Sequence, residues 1–233
     1  MRLESWEDLL RLYYQNTYET IHYSGILGMF TGRYHLALED GIPEDSVNAQ
    51  ILEIGAGSGE HIPYVLNKPR RYYLLDPYPG EKIMKLAEVD STFQVLKASA
   101  ENIPLADSQV DRVIASCVLL HVDDVRQTLE EIRRVSANGA LIRIYLPMDP
   151  GLIYRAIRHL VSHRKTAKKM RKPMKAVKFI WANEHRNHFL AVKSNIDYIF
   201  SEDDVKYKRY PLPFMSWNFN IYAIVTIKVS KKE

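Results

Sequence analysis

Ile51-Leu52-Glu53-Ile54-Gly55-Ala56-Gly57-Ser58-Gly59-Glu60 is an apolar strand carrying one acid that runs directly into three alternating glycines. Glycine tolerates positive φ cheaply and has no Cβ, so such a loop lets backbone N–H groups approach a ligand at the start of the next helix. A second apolar strand, Tyr72-Tyr73-Leu74-Leu75, ends in Asp76. That acid lies 21 residues beyond Gly55, about where a ribose-binding carboxylate sits in nucleotide-binding βαβ units. The glycine spacing argues against an ordinary dinucleotide loop. Glu60 occupies the place of the last glycine in Gly-x-Gly-x-x-Gly, and a pyrophosphate there would meet a carboxylate. No Gly-Lys-Ser or Gly-Lys-Thr follows, which excludes a P-loop.

With this acid, these glycines and this strand-loop-helix context, the chain resembles the class I S-adenosylmethionine-dependent methyltransferases. The resemblance continues in order through Asp76, a helix over 79–89, and Ala98-Ser99-Ala100-Glu101-Asn102-Ile103-Pro104-Leu105. It then takes in a fourth strand over 112–117, Val118-Leu119-Leu120-His121-Val122-Asp123, a helix over 129–135, a turn over 137–140 and a fifth strand over 141–146. Ser99 stands where the family usually has an acid that accepts from the adenine amino group. A hydroxyl is the weaker acceptor, which shifts adenine binding toward apolar packing.

The family implies an α/β fold: a Rossmann-like three-layer sandwich with a seven-stranded, mostly parallel sheet. To this the sequence adds an N-terminal helical lid and a basic helical insertion after the fifth strand. The chain is read as one methyltransferase domain, with the lid over 1–47, the cofactor-binding core over 48–147, the insertion over 148–200 and C-terminal strands over 201–233. The last hairpin is expected from 205–209 and 220–229.

Length is consistent with one full three-layer core, and a net charge of +4 is mild. The only cysteine, Cys117, cannot form an intramolecular disulfide and reads as a buried thiol, which fits a reducing cytoplasm. No apolar stretch approaches the ~20 residues of a membrane span, and the acids among the first eight residues do not suit a signal peptide.

Charge is concentrated, however. Between Gly151 and Phe189 lie eleven Lys or Arg residues and a single acid, Glu184. Ile153, Ile157, Leu160 and Val161 fall at helical spacing within this stretch, giving a basic amphipathic helix. Such an element suits an anionic substrate or contact of 151–189 with an anionic membrane surface. Few aromatics interleave the cations, so nucleic acid is the less supported partner. Glu184-His185-Arg186-Asn187-His188 concentrates polar groups at an expected pocket lip.

In the leader, Ser5 reads as an N-cap, followed by Trp6, Leu9, Leu10 and Tyr13 on one helical face expected to pack on the sheet. Core packing explains most of its tyrosines. Tyr14, toward the acceptor, and Tyr18, toward the reacting atoms, are its candidates to reach the site.

For the chemistry, the resemblance implies S-adenosylmethionine as cofactor. Glu53 would hold its methionine end, with Gly55, Ala56, Gly57 and Gly59 letting the chain pass close. Asp76 would take the ribose hydroxyls, Pro77, Ala100 and Glu101 would flank the base, and Ser116 and Val118 would lie at the fourth strand's end. Methyl transfer is an in-line displacement in which alignment alone supplies roughly 7–11 kcal/mol. His121 is the titratable side chain that the motif places near the methyl group, and a positioned base is worth about 10²–10⁴-fold. His185, Arg186 and His188 are candidates for the acceptor. No metal is implied, since His185 and His188 lack supporting ligands. The expected activity is methylation of O or N on a small anionic molecule such as a sugar, a phosphorylated amine or a lipid headgroup. An RNA or protein methyltransferase and a non-catalytic cofactor-binding module are the alternatives.

Overall fold

The computed structural model describes residues 5–13, 25–42 and 48–231. The candidates Tyr14 and Tyr18 lie outside them. Seven strands form one sheet in the order β3-β2-β1-β4-β5-β7-β6. They are β1 (Gln50–Ile54), β2 (Arg71–Leu75), β3 (Phe93–Leu96), β4 (Val110–Ser116), β5 (Ser136–Pro147), β6 (Asp204–Tyr210) and β7 (Tyr222–Lys228). The first five pair in parallel and β7 runs antiparallel between β5 and β6. Strand order reverses between β1 and β4, so the crevice for a ligand opens at their C-terminal ends.

Alternation along the strands divides the core. Leu52, Ile54, Tyr73, Leu75, Val113 and Ala115 join one apolar cluster with α4 (Val125–Val135) and α8 (Phe189–Ile199). Ile51, Tyr72, Leu74 and Ile114 join the other, with Leu38 of α2 (Gly25–Glu39) and Ile83 of α3 (Glu81–Val89). The period of two thus builds a helix layer on each face, the three-layer sandwich expected.

Several local expectations are corrected. The glycine loop leads into a single 3-10 turn, Ile62–Tyr64, with Pro63 inside it, rather than into an α-helix. Helix α2 meets this connection instead. Its Glu39 carboxylate receives the Arg112 guanidinium and contacts His61 Nε2 at 2.9 Å, all three groups buried. Burial alone would raise the Glu39 pKa, but its hydrogen bonds with His61 and Arg112 outweigh that and hold it below the ordinary carboxylate range. Residues 137–140 are not a turn but the bulged start of β5. Val110 pairs with Ser136 and Arg112 with Leu141, and Gly139 at φ +79° absorbs the excess.

The leader helix α1 (Trp6–Tyr13) does not lie on the sheet. Ser5 does cap it, its Oγ accepting from Asp8 N at 3.1 Å. Its buried face, Leu9 and Tyr13, packs against Met170, Val177, Ile180 and Trp181 of the insertion, and Trp6 meets Phe179 edge-on at 5.6 Å. The insertion itself is α5 (Leu152–Ile157), a π turn (Arg158–Ser162), α6 (His163–Met170) and α7 (Met174–Glu184). The predicted apolar stripe holds in part: Ile153, Ile157 and Val161 are half-buried, and the π turn shifts the helix phase beyond them. Leu160 is 55% exposed, and His163, Thr166 and Met170 face inward instead.

Candidate active site

All three loop glycines have positive φ: Gly55 +68°, Gly57 +54° and Gly59 +84°. A Cβ on Gly55 would come within 2.7 Å of Val118, the residue that carries the chain away from β4. The backbone N–H groups of the loop are already engaged. Gly55 and Ala56 donate to Leu75 O, Gly57 to Asp76 Oδ2 at 2.9 Å, Ser58 to Glu60 Oε2 at 3.2 Å, and Gly59 to Ala56 O. A loop with its donors turned inward is no cradle for pyrophosphate.

Its titratable side chains are all acids. Glu53 is 2% exposed and accepts from the Tyr72 hydroxyl at 2.8 Å. Asp76 accepts from Gly57 N and, at 2.7 Å, from Tyr78 N. Among the described residues, the hydrogen-bond partners of Glu53, Glu60 and Asp76 are a phenol and backbone N–H groups, not cations. Burial pushes the Glu53 carboxyl up to about 8; the Tyr72 hydrogen bond opposes this, and Glu60, Glu39 and Asp76 add to it. Two acids beside a shape-restricted loop, with Glu53 able to ionise next to a bound cation, fit a cationic ligand bearing ribose hydroxyls and disfavour a polyphosphate. S-adenosylmethionine, with its sulfonium and ammonium groups, meets that demand.

The adenine-side candidates are tied into the scaffold. Ala100 is buried, and Pro77 is exposed beside Asp76. The Glu101 carboxylate accepts from Asp123 N at 2.8 Å and from Asp124 N at 3.2 Å, and Ser99 donates its hydroxyl proton to it. Ser99 Oγ, which also accepts from Glu101 N at 3.4 Å, keeps one lone pair available to an amino group. Ser116 and Val118 flank Cys117 at the end of β4, half-buried, with Cys117 at φ +60°. Burial pushes the Cys117 thiol up to about 12, which keeps it protonated and unreactive.

Beyond Val118, the loop carrying His121 is clasped by the segment after α7. Asn187 Nδ2 donates to Leu119 O and Val122 O, Asn187 N donates to Leu120 O, and Arg186 pairs with Asp123. This brings the His121 ring edge-on to His185 at 5.0 Å. His185 Nδ1 lies 3.2 Å from Asp149 Oδ2, and Arg158 also holds that carboxylate. His188 is elsewhere employed: its Nδ1 accepts from Ala191 N as the N-cap of α8.

A cavity of about 450 Å³ opens at this junction, its cations Arg155, Arg158 and Lys178 set among Asp149, His159, His163, Trp181 and His185. Two of its lining groups are buried and, among the described residues, have no hydrogen-bond partner: Trp181 Nε1 and both ring nitrogens of His163. Burial, then Arg158 and the neighbouring cations, push His163 down to about 4, so it is a neutral imidazole at pH 7. A buried unpaired donor costs about 1–3 kcal/mol, which a polar ligand in the cavity would recover. Sequence reasoning counted Arg155, Arg158 and Lys178 only as part of a charge run and Trp181 only among its few aromatics, and passed over Asp149 and His163. The legible signal was Asp149 itself, an acid just past the C-terminal end of a parallel strand. Among the described residues no His, Cys, Asp and Glu cluster could hold a metal ion.

Residues 52–144 match the family described as the methyltransferase domain. Solved structures share the architecture. An S-adenosylmethionine-dependent methyltransferase of Thermotoga maritima aligns with a TM-score of 0.61 at 16% identity, over 94% of this chain and 99% of its own. One of Mesorhizobium loti gives 0.57 at 17%, over 83% and 96%. The Burkholderia thailandensis 1,6-didemethyltoxoflavin-N1-methyltransferase, with its substrate and S-adenosylhomocysteine bound, gives 0.58 at 12%, over 99% and 93%. At these identities the likeness is one of fold. None of the curated proteins is similar enough in sequence to match.

Proposed function

We propose that this chain, a class I S-adenosylmethionine-dependent methyltransferase, methylates an oxygen or nitrogen of a small anionic acceptor held in the cavity between α5, α6 and α7. The observation that carries the reading is the pairing of cations with unsatisfied donors in that cavity: Arg155, Arg158 and Lys178 beside His163 and Trp181 Nε1. A phosphate or carboxylate supplies acceptors for all of them, whereas an apolar molecule would leave both buried donors unpaired. Sugars, phosphorylated amines and lipid headgroups that carry such a group belong to this class.

The bound cofactor supplies an electrophilic methyl group on sulfur, and the protein's part is to align, to exclude water and to manage one proton. Glu53 and Asp76 would hold the cofactor's ammonium and ribose, with the glycine loop beneath. Ala100 and Ser99 would meet the base. His121 stands between the end of β4 and the cavity, and is the base candidate for a hydroxyl or ammonium acceptor. His185, oriented by Asp149, would fix the acceptor beside it. Tyr14 and Tyr18 of the leader complete this proposal as lid residues, with Arg186 holding the 119–123 loop in place.

The test is transfer of labelled methyl from S-adenosylmethionine to a panel of small phosphates and carboxylates, each with its uncharged analogue. Labelling confined to the anionic members supports the reading; labelling of the uncharged ones alone refutes it. RNA is the second arm. If it is the acceptor, binding falls steeply with salt, because phosphate contacts release counterions. His121→Gln is expected to lower kcat at least about tenfold at saturating cofactor, while His185→Gln acts mainly on KM.

A further inference from the structure

The segment joining β6 to β7, Pro211-Leu212-Pro213-Phe214-Met215-Ser216-Trp217-Asn218-Phe219-Asn220, carries no charge. Phe214 is 98% exposed, and Leu212, Met215 and Phe219 are each more than two-fifths exposed. Its anchoring is the unusual part. Asn220 is fully buried: its side-chain amide donates to Leu212 O at 2.9 Å, Ser216 O at 3.1 Å and Met215 O at 3.3 Å, and its Oδ1 accepts from Leu212 N at 2.7 Å. Trp217 packs on the main core, its ring stacked on Phe189 at 5.7 Å. One buried amide and one half-buried ring therefore fix the loop while its apolar side chains are held in water. A fold that fastens a loop this firmly without burying its phenylalanine presents that residue to a partner.

The neighbouring surface indicates which partner. The 217–219 turn lies against α5, so close that a Cβ on Gly151 would sit 3.2 Å from Trp217 O. From that contact the helix running through α5, the π turn and α6 exposes Leu152, Arg155, His159, Leu160, Arg164, Lys165, Lys168 and Lys169 to solvent. No acid occurs between Gly151 and Asn183. A second copy of the chain docking here would set two cationic tracts against each other, whereas an anionic bilayer complements both features at once. The apolar residues can enter the headgroup layer while the cations remain on it.

We propose that the 211–219 loop is a membrane wedge, inserting Phe214 and Leu212 into an anionic lipid surface against which the exposed cations of the 152–170 helix lie. The wedge needs neither the cofactor nor the acceptor assigned above, and it is tested without methyl transfer. The full chain is floated with phosphatidylcholine vesicles, with and without phosphatidylglycerol. Binding is expected to the anionic vesicles and to weaken with salt. Phe214→Ser with Leu212→Ser should lower the partition coefficient at least about tenfold, and Lys168→Glu with Lys169→Glu should abolish the preference for phosphatidylglycerol. Unchanged melting and S-adenosylhomocysteine binding show that both variants remain folded. No binding of the wild type at low salt, or equal binding by the serine variant, overturns the proposal. Self-association of the wild type that the serine variant loses also overturns it, assigning the loop to a second copy.

Discussion

Replacing Glu53 by Gln should make the protein more stable and less able to bind its cofactor, and the two effects should separate with pH. The buried carboxyl titrates near 8 in the folded chain, against about 4.5 unfolded. The folded state therefore holds a proton that the unfolded state has lost across that window, and stability must fall as pH rises from about 4.5 to 8. Glutamine keeps an acceptor for the Tyr72 hydroxyl, which lies 2.8 Å from Glu53, and carries no charge to ionise. Between pH 6 and pH 8.5 the wild type passes through about two units of this window. At 1.36 kcal/mol per unit, the stability of Glu53→Gln relative to wild type should grow by about 2.7 kcal/mol. For a chain of this length each kcal/mol moves Tm by roughly 2–4 °C, so denaturant melts without cofactor at the two pH values resolve it easily. Calorimetry adds the second arm. If a cationic ligand binds only the ionised carboxylate, wild-type binding of S-adenosylmethionine releases about one proton below pH 7, while the glutamine variant binds at least about tenfold more weakly and releases none. A variant no more stable than wild type at pH 8.5 would refute the buried, protonated carboxyl; equal affinity in both proteins would remove Glu53 from the cofactor site.

Asp76→Ala removes the acceptor of Gly57 N and Tyr78 N as well as the expected ribose ligand. It should cost about 1–3 kcal/mol in stability and weaken S-adenosylhomocysteine binding at least about tenfold, read by melting and titration. Arg155→Met with Lys178→Met strips two cations from the cavity while leaving the Asp149–Arg158 pair intact. It should raise KM for an anionic acceptor by about 10–100-fold, with kcat and cofactor affinity little changed. Gly55→Ala places a Cβ 2.7 Å from Val118 at φ +68° and should destabilise by about 2–4 kcal/mol. Adding Val118→Ala should recover the steric part but not the backbone part, which a chemical-denaturation double-mutant cycle separates.

Local chemistry settled the glycine loop and the two strands beside it, and the resemblance carried by those residues implied the sheet. The run 51–60 is apolar at the strand and glycine at each place where φ is positive, so no distant residue was needed to read it. The same is true of the acids that disfavour a polyphosphate, because Glu53 and Asp76 lie at the ends of two adjacent strands and Glu60 closes the glycine loop. Tertiary packing decided the rest. Whether a helix follows the glycines depended on α2 arriving to meet that connection, and whether the leader covers the sheet depended on the apolar face that α7 offered it. The π turn at 158–162 has no period of its own, yet it chose which side of a basic helix faces inward. Asp149, His163, Trp181 and His185 are separated in the chain and meet only where α6 and α7 pack beside the end of β5. A cavity is a property of distances between elements, and side-chain burial there depends on neighbours that no sequence window contains.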